Sequence, residues 1–108
     1  MVKAQFKRGH YGYEECHISG HAEFNPGNDI VCSAVSALGF ALIGSLKNLN
    51  GISFRQLQAD NGIDIVIEPF TGTMQKISDT IFQTIYIGLM QIEKAYPGHV
   101  QVEKLTVI

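Results

Sequence analysis

Residues 29–48 read DIVCSAVSALGFALIGSLKN, and the fold can be worked out starting from this stretch. Apolar residues recur here at helical spacing. The residues that share one stripe are Val31, Val35, Leu38, Leu42, Leu46 and Leu49. Asn28 and Asp29 are both good N-cap residues, and Asn50-Gly51 is typical of a helix C-cap. We therefore predict a helix from Ile30 to Asn48.

The predicted helix also carries apolar residues outside that stripe. Phe40, Ala41 and Ile43 extend the apolar surface around the cylinder, which predicts burial on more than one side. The uncharged run Ile30–Leu46 contains serines and glycines and is short for a membrane span. A buried helix of a folded domain explains this run better, so no membrane association is expected.

A β-hairpin is predicted before this helix. Residues 2–7 alternate between apolar and polar side chains, which is typical of a strand with one solvated face. The residues Gly9-His10-Tyr11-Gly12 suit a turn, and a second strand runs from Tyr13 to Ser19. The stretch Gly20–Asn28 is rich in Gly, Asn and Pro, which indicates a loop.

Two strands, a second long helix and a final strand are predicted after the first helix. The predicted elements are strands over Ser53–Asp60 and Ile63–Glu68, a loop over Pro69–Thr73, a helix over Met74–Tyr96 and a strand over His99–Ile108. Asn61-Gly62 suits a type I′ turn between the first two. The stripe expected to face the core of the second helix is Ile77, Ile81, Ile85, Leu89 and Ile92.

These elements define the fold class. Their order is β-β-α-β-β-α-β, which predicts an α+β fold with two long helices packed on a mostly antiparallel sheet. At 108 residues the chain is expected to form one domain over residues 1–108. Phe82, Tyr86 and Met90 widen the apolar face of the second helix, and this surplus favours a homodimer.

Composition and charge limit the function classes. Apolar residues make up 45% of the chain and charged residues 17%, as in globular domains rather than disordered ones. The formal net charge is −2, so direct binding to nucleic acid is not expected. Two cysteines provide no disulfide framework, and the alternating N-terminus does not resemble a signal peptide. We expect a cytoplasmic protein with reduced thiols.

Cys32 and His21 are the candidate reactive pair. Cys32 lies in the first turn of the predicted helix, where free backbone N–H groups and the helix dipole favour a thiolate. The dipole alone contributes only about 0.3–1 kcal/mol, so a second cationic group is needed. His21 is the nearest histidine along the chain and lies across a flexible loop. An inert core cysteine and a surface histidine are the alternative interpretation.

Four neighbouring residues are candidates for supporting roles. Asp29 either caps the helix or orients His21. Ser36 lies one turn below Cys32, where it either contacts substrate or bonds its own helix backbone. Gly20 permits close backbone approach, and the N–H groups near Cys32 and Ser33 are suitable donors for an oxyanion.

The loop and several aromatic residues are assigned less specific roles. Residues Ala22–Gly27 are predicted to form a mobile lid that orders on substrate binding. Phe24, Phe70 and Tyr86 are candidate walls of a substrate pocket, with Phe24 as a packing anchor in the alternative. His10 and His99 are expected to be surface residues.

A zinc site is a rival interpretation. Cys16, His17, His21 and Cys32 supply four possible ligands. Adjacent residues of a strand point to opposite faces, however, and the spacing matches no common structural zinc pattern. We therefore expect Cys16 to be an inward-facing core residue and predict neither a metal nor another cofactor. A binding module on ribosomes without enzymatic activity is a second rival.

One combination of residues resembles a known family. Gly20-His21-Ala22, followed by a short glycine-containing loop and then residues 29–36, DIVCSAVS, is similar to the signature of the ribosomal-processing cysteine protease family called Prp. The element order and the chain length fit the same family. The loop is slightly shorter than in some members, which affects the expected lid geometry and not the chemistry.

This resemblance implies a specific activity. Family members are dimeric cysteine endopeptidases that remove a short N-terminal extension from the bacterial large-subunit ribosomal protein L-twenty-seven. They cut after a pair of aromatic residues and before a small one. By position in the motif, Cys32 is the nucleophile and His21 the base. The expected partners are therefore an extension peptide and a second copy of the chain.

Overall fold

The computed structural model describes residues 1–49, 52–59, 62–68 and 72–107. In these ranges the chain forms strands and helices in the predicted order, which confirms the α+β fold. The elements are β1 Val2–Gly9, β2 Gly12–Ser19, α1 Ile30–Lys47, β3 Phe54–Ala59, β4 Gly62–Ile67, α2 Thr73–Ala95 and β5 Val100–Thr106. The predicted type I′ turn and the loop over Pro69–Thr73 fall mainly on Asp60, Asn61 and residues 69–71, outside the described residues.

The strands form one sheet in the order β3-β4-β2-β1-β5. β1 pairs with β2 in an antiparallel hairpin, and β5 joins β1 in parallel. Alternation along β1 turns Val2, Ala4 and Phe6 towards the buried face of the sheet and leaves Lys3 and Gln5 exposed on the other. Both helices cover the buried face, so the polar face of the sheet stays open.

α1 packs on the sheet along one row of side chains. The buried residues of this row are Val31, Val35, Gly39, Leu42, Ile43 and Leu46. A Cβ on Gly39 would lie 2.3 Å from Cδ1 of Ile63, so glycine lets the helix approach the sheet closely. Asn48 is the C-cap of the helix, and its backbone N–H and side-chain amide both donate to the Gly44 carbonyl. The C-cap was predicted at Asn50-Gly51, two residues that lie outside the described ranges.

The prediction that α1 is buried on more than one side was wrong. Phe40 is 67% exposed and Ala41 is exposed, although Ile43 is buried. Only one side of α1 faces the sheet and α2, since the opposite side has no element of the described chain above it. Of the two described helices, α1 alone is long and apolar enough to cross a membrane. Its buried row packs in the domain core, as in a core helix of a globular fold.

The core row of α2 differs from the predicted stripe. Its buried residues are Gln75, Ser78, Phe82, Ile85 and Leu89, whereas Ile77, Ile81 and Ile92 are only half-buried. Phe82 decides the rotation of the helix, because its ring stacks on Tyr13 at 5.5 Å and meets Phe6 edge-on at 6.5 Å. Phe82 therefore adds to the core and not to the exposed apolar surplus.

Candidate active site

Cys32 lies in the first turn of α1, half-exposed at the end of the sheet where β2 stops. The backbone N–H of Ala22, on the loop after β2, donates to Sγ of Cys32 at an N···S distance of 3.2 Å. A donor aimed at sulfur stabilises its anionic form. The thiol is thus both accessible and provided with a fixed hydrogen-bond donor.

Asp29 organises the start of the helix and the loop before it. One carboxylate oxygen accepts from the N–H groups of Val31 and Cys32, each at 3.0 Å. The other accepts from Phe24 at 2.9 Å and Asn25 at 3.2 Å. Partial desolvation would raise the pKa of Asp29, but these backbone donors outweigh it and hold the pKa below its usual value.

These contacts decide between the two roles predicted for Asp29. The N-cap role is confirmed, since Asp29 has extended backbone and its side chain accepts the first free N–H groups of α1. In the described chain His21 is not among its hydrogen-bond partners. Asp29 therefore anchors the loop and the helix rather than the imidazole.

His21 and Cys32 share two cavities. One, of about 300 Å³, lies above the start of α1, and the other, of about 320 Å³, lies under the loop. Both side chains line both cavities, and the His21 ring is exposed. No hydrogen bond joins the ring to Sγ within the described residues. An exposed ring changes rotamer on the picosecond-to-nanosecond scale, so binding of a substrate can set its orientation.

The two cavities are lined by different parts of the fold. The first has a mostly apolar wall of Val2, Ile18, Val35, Phe40 and Ile63, contributed by β1, β2, α1 and β4. The second is lined by loop residues that include Glu23, Pro26, Gly27 and Asp29. Cys32 stands between them. The arrangement provides space on both sides of the sulfur, as an extended peptide requires.

The remaining predicted support residues fall in the same region. Gly20 has φ +89°, and a Cβ there would lie 2.5 Å from the Met1 carbonyl oxygen, which confirms the predicted close backbone approach. Ser36 is exposed on the wall of the apolar cavity, and its hydroxyl makes no hydrogen bond in the described structure. The alternative in which Ser36 bonds its own helix is therefore not observed. Ser33 is exposed, and its hydroxyl donates to the Asp29 carbonyl at 3.1 Å.

The predicted oxyanion donors are already occupied. The Cys32 N–H donates to the Asp29 side chain, and the Ser33 N–H donates to the Asp29 carbonyl at 3.1 Å. The N-cap side chain occupies the Cys32 N–H, which an uncapped helix would leave free, and the Ser33 N–H makes the first backbone hydrogen bond of the helix. The N–H of Ala22 is the donor that this structure directs at the sulfur.

Phe24 and His99 correct two sequence-based expectations. Phe24 packs edge-on against Tyr96 and His99, so it acts as a packing anchor and lines neither cavity. His99 is half-buried and bonds the loop, which makes it more than a surface residue. His10 is exposed, as predicted.

The other two proposed pocket walls are not found at the site either. Tyr86 packs on Phe6 and Lys104, away from both cavities. Phe70 lies outside the described residues. The apolar wall is built instead by residues from four elements that the sequence does not bring together, with Phe40 its aromatic member.

The residues of the rival zinc interpretation are not gathered. Cys16 is fully buried under the helices, as predicted, while His17 points to the open face of the sheet and bonds Asp64 and Glu15. His21 and Cys32 lie at the end of β2 and the start of α1. Across the residues that the structure describes, no cluster of three or more metal-ligating side chains occurs.

Comparison with protein families gives a match over nearly the whole chain. The family described as "Cysteine protease Prp" matches residues 1–101. No curated protein sequence matches the chain. The match covers the loop and the helix start that build the site, and it sets aside the interpretation of a binding module without enzymatic activity.

Solved structures show the same fold. The ribosomal processing protease Prp from S. aureus, in complex with a covalently linked product peptide, superposes with a TM-score of 0.83 at 21% identity, covering 96% of this chain and 99% of that chain. The same protease with a substrate peptide gives 0.78 at 21% identity, with coverage of 96% and 99%. SMU.848 from Streptococcus mutans gives 0.76 at 26% identity, covering 98% and 95%.

Proposed function

The chain belongs to the cysteine protease Prp family, and from this we propose that it removes the N-terminal extension of ribosomal protein L-twenty-seven with Cys32 as nucleophile and His21 as base. One observation carries the proposal most directly. Cys32 is half-exposed in the first turn of α1 and lines two cavities, and His21 lines both of them as well. An endopeptidase needs room for the chain on each side of the scissile bond.

The chemistry follows from these two side chains. His21 takes the proton of the Cys32 thiol, and the sulfur forms a bond to the scissile carbonyl carbon while the C=O electron pair moves onto oxygen. When that pair returns, the C–N bond breaks and the imidazolium gives its proton to the leaving amine. Water, deprotonated by His21, then attacks the thioester. The C–S bond breaks, the N-terminal product leaves, and the proton on His21 returns to the sulfur.

The cavities support a peptide with apolar residues beside the scissile bond. The apolar cavity next to Cys32 has Phe40, Ile63 and Val2 in its wall, which suits a large apolar side chain. Paired aromatic residues before the cut, as the family implies, are consistent with that wall. The S. aureus protease was solved with substrate and product peptides, which supports a peptide as the ligand here.

A homodimer in the cytoplasm completes the proposal. Apolar side chains stand exposed on both helices, among them Ile30 and Phe40 of α1 and Ile87 and Met90 of α2. A monomer of this size rarely exposes so many large apolar side chains, and a second copy would cover them. Analytical ultracentrifugation at micromolar concentration tests the assembly. A single species of 11.9 kDa would contradict it.

Peptide cleavage tests the proposed activity. The protein is incubated with a peptide carrying the extension of L-twenty-seven from the same organism, and mass spectrometry locates the cut. One cut by the wild type is expected, with loss of at least about 10³-fold in rate for Cys32→Ala and His21→Ala. Cys16→Ala is the matched control and retains the activity. Full activity of either dyad variant would contradict the assignment.

A further inference from the structure

Ala22 is held from both sides of its backbone. Its N–H donates to Sγ of Cys32 at 3.2 Å, and its carbonyl accepts from Nδ1 of His99 at 2.8 Å. Its methyl group is 1% exposed, so the whole residue is fixed in the interior of the loop. The donor that faces the sulfur is therefore part of one connected chain of contacts from His99 through Ala22 to Cys32.

His99 is itself firmly placed, since it precedes β5 and is bonded along its backbone. Its N–H donates to the Tyr96 carbonyl at 3.2 Å, and its carbonyl accepts from the N–H of Val2 at 3.0 Å. Phe24 packs edge-on against the His99 ring at 5.3 Å and against Tyr96 at 5.1 Å. His99 thus connects the loop to the sheet, while the other anchor of the loop, Asp29, belongs to α1.

The loop depends on such anchors because its backbone is unfavourable immediately after Ala22. Glu23 has φ +55°, in the left-handed region that residues other than glycine rarely adopt. A conformation of this kind persists only where surrounding contacts fix it. Asp29 fixes Phe24 and Asn25, and His99 fixes the Ala22 carbonyl on the other side of Glu23.

We propose that His99 is a positioning residue for catalysis, whose Nδ1–H holds the Ala22 carbonyl so that the Ala22 N–H stays directed at the Cys32 sulfur. Nδ1 carries the hydrogen because a carbonyl oxygen only accepts. The Ala22 N–H is the donor that the structure directs at the sulfur, where it stabilises negative charge during reaction. His99 touches neither the sulfur nor the substrate cavities, so it acts entirely through Ala22.

Alkylation of Cys32 measures this role without any substrate, so its outcome is independent of the proposed ribosomal substrate. The rate of reaction with iodoacetamide is followed from pH 5 to pH 10 by mass spectrometry of the Cys32 peptide. His99→Phe keeps a flat ring against Phe24 and removes the donor. A fall of about tenfold in the alkylation rate at pH 7 is expected, because the donor that faces the sulfur is no longer held in place. The other titratable groups near the sulfur are His21, Glu23 and Asp29, and all remain present in the variant.

Two amide substitutions at His99 separate the effect of the lost hydrogen bond from the effect of changed packing. In His99→Asn the amide nitrogen falls near the position of Nδ1, and this variant is expected to stay within about threefold of the wild type. In His99→Gln the amide reaches the position of Nε2 instead, so the variant should behave like His99→Phe. Urea unfolding verifies that each variant is folded. A wild-type profile in both His99→Phe and His99→Gln, or equal losses in His99→Asn and His99→Gln, would overturn the proposal.

Discussion

The molecule contains two cysteine and histidine pairs in very different surroundings. Cys16 and His17 are neighbours on β2, in the middle of the sheet, whereas Cys32 and His21 lie at the end of that sheet. Cys16 is fully buried, and its pKa is raised to about 12 by burial and by the negative charge of Asp64. Cys32 is half-exposed and accepts a backbone N–H.

The two histidines differ in the same way. His17 is held between Asp64 at 2.6 Å and Glu15 at 2.8 Å, so both of its nitrogens are occupied. His21 is exposed beside two cavities, and its ring is not bonded to another side chain in the described structure. The comparison teaches that residue type alone does not make a reactive pair. Access to solvent and an uncommitted imidazole separate the proposed catalytic pair from the structural one.

The largest expected difference between the pairs is in thiol reactivity. At a pKa of about 12, Cys16 is a thiolate in about one molecule in 10⁵ at pH 7. Iodoacetamide at pH 7 should therefore modify Cys32 at least about 10³-fold faster than Cys16. Peptide mapping after timed alkylation measures both rates in one sample, and adding urea provides the control by exposing both thiols. Comparable rates in the folded protein would remove the distinction.

A smaller effect is expected when the anchor of the reactive pair is removed. Asp29→Ala deletes the cap of α1 and the bonds to Phe24 and Asn25, so it should displace the loop and lower kcat/KM by roughly 10- to 100-fold. Asp29→Asn keeps one oxygen acceptor, so its kcat/KM should fall less than that of Asp29→Ala. Activity in Asp29→Ala equal to that of the wild type would show that the loop needs no anchor there.

The carboxylate of Asp29 also predicts how the stability of the fold changes at acid pH. The pKa of Asp29 is lower in the folded state than its ordinary value of 3.8, so its stabilisation is present above that value and disappears as the pH falls through the lowered one. The urea midpoint of the wild type should therefore fall more steeply below pH 4 than that of Asp29→Asn. Parallel curves for the two proteins would contradict this.

The smallest effect is expected when His17, the neighbour of buried Cys16, is replaced. Partial burial would lower the pKa of His17, but the carboxylates of Glu15 and Asp64 outweigh it and raise the pKa above its ordinary value of 6.5. The stabilisation is then fully present below pH 6.5 and is lost as the pH rises through the raised value. His17→Gln should lose less than about 1 kcal/mol of the free energy of unfolding at pH 6, and almost nothing at pH 9, since the site is partly exposed.

Unfolding in urea at both pH values measures the His17 effect. Cleavage of the peptide by His17→Gln should stay at the level of the wild type, because His17 is on the open face of the sheet and away from both cavities. A loss of activity without a loss of stability would mean that the two pairs are coupled.

Short-range patterns in the sequence were sufficient to predict the order of the elements and the helix start that carries Cys32. Strand alternation, the helical stripe of α1 and the cap at Asp29 depend on residues within a few positions of each other. The structure bears out the alternation, the cap and four of the six stripe residues, namely Val31, Val35, Leu42 and Leu46. The stripe predicted on α2 is only partly correct, since Ile85 and Leu89 are buried and the other three residues are half-buried. Its isoleucines fit a helical period, but stacking of Phe82 on Tyr13 rotates the helix, and that contact joins residues far apart in the chain.

By itself the sequence determined that Cys32 opens a capped helix close to His21, because caps and periodicity are local properties of the backbone. Only the tertiary structure decided which donor faces the sulfur and which walls line the cavity. The bond from His99 to Ala22 spans 77 positions, and the apolar wall combines Val2, Phe40 and Ile63 from three elements. Contacts of that range depend on how the sheet and helices pack, which no local pattern encodes.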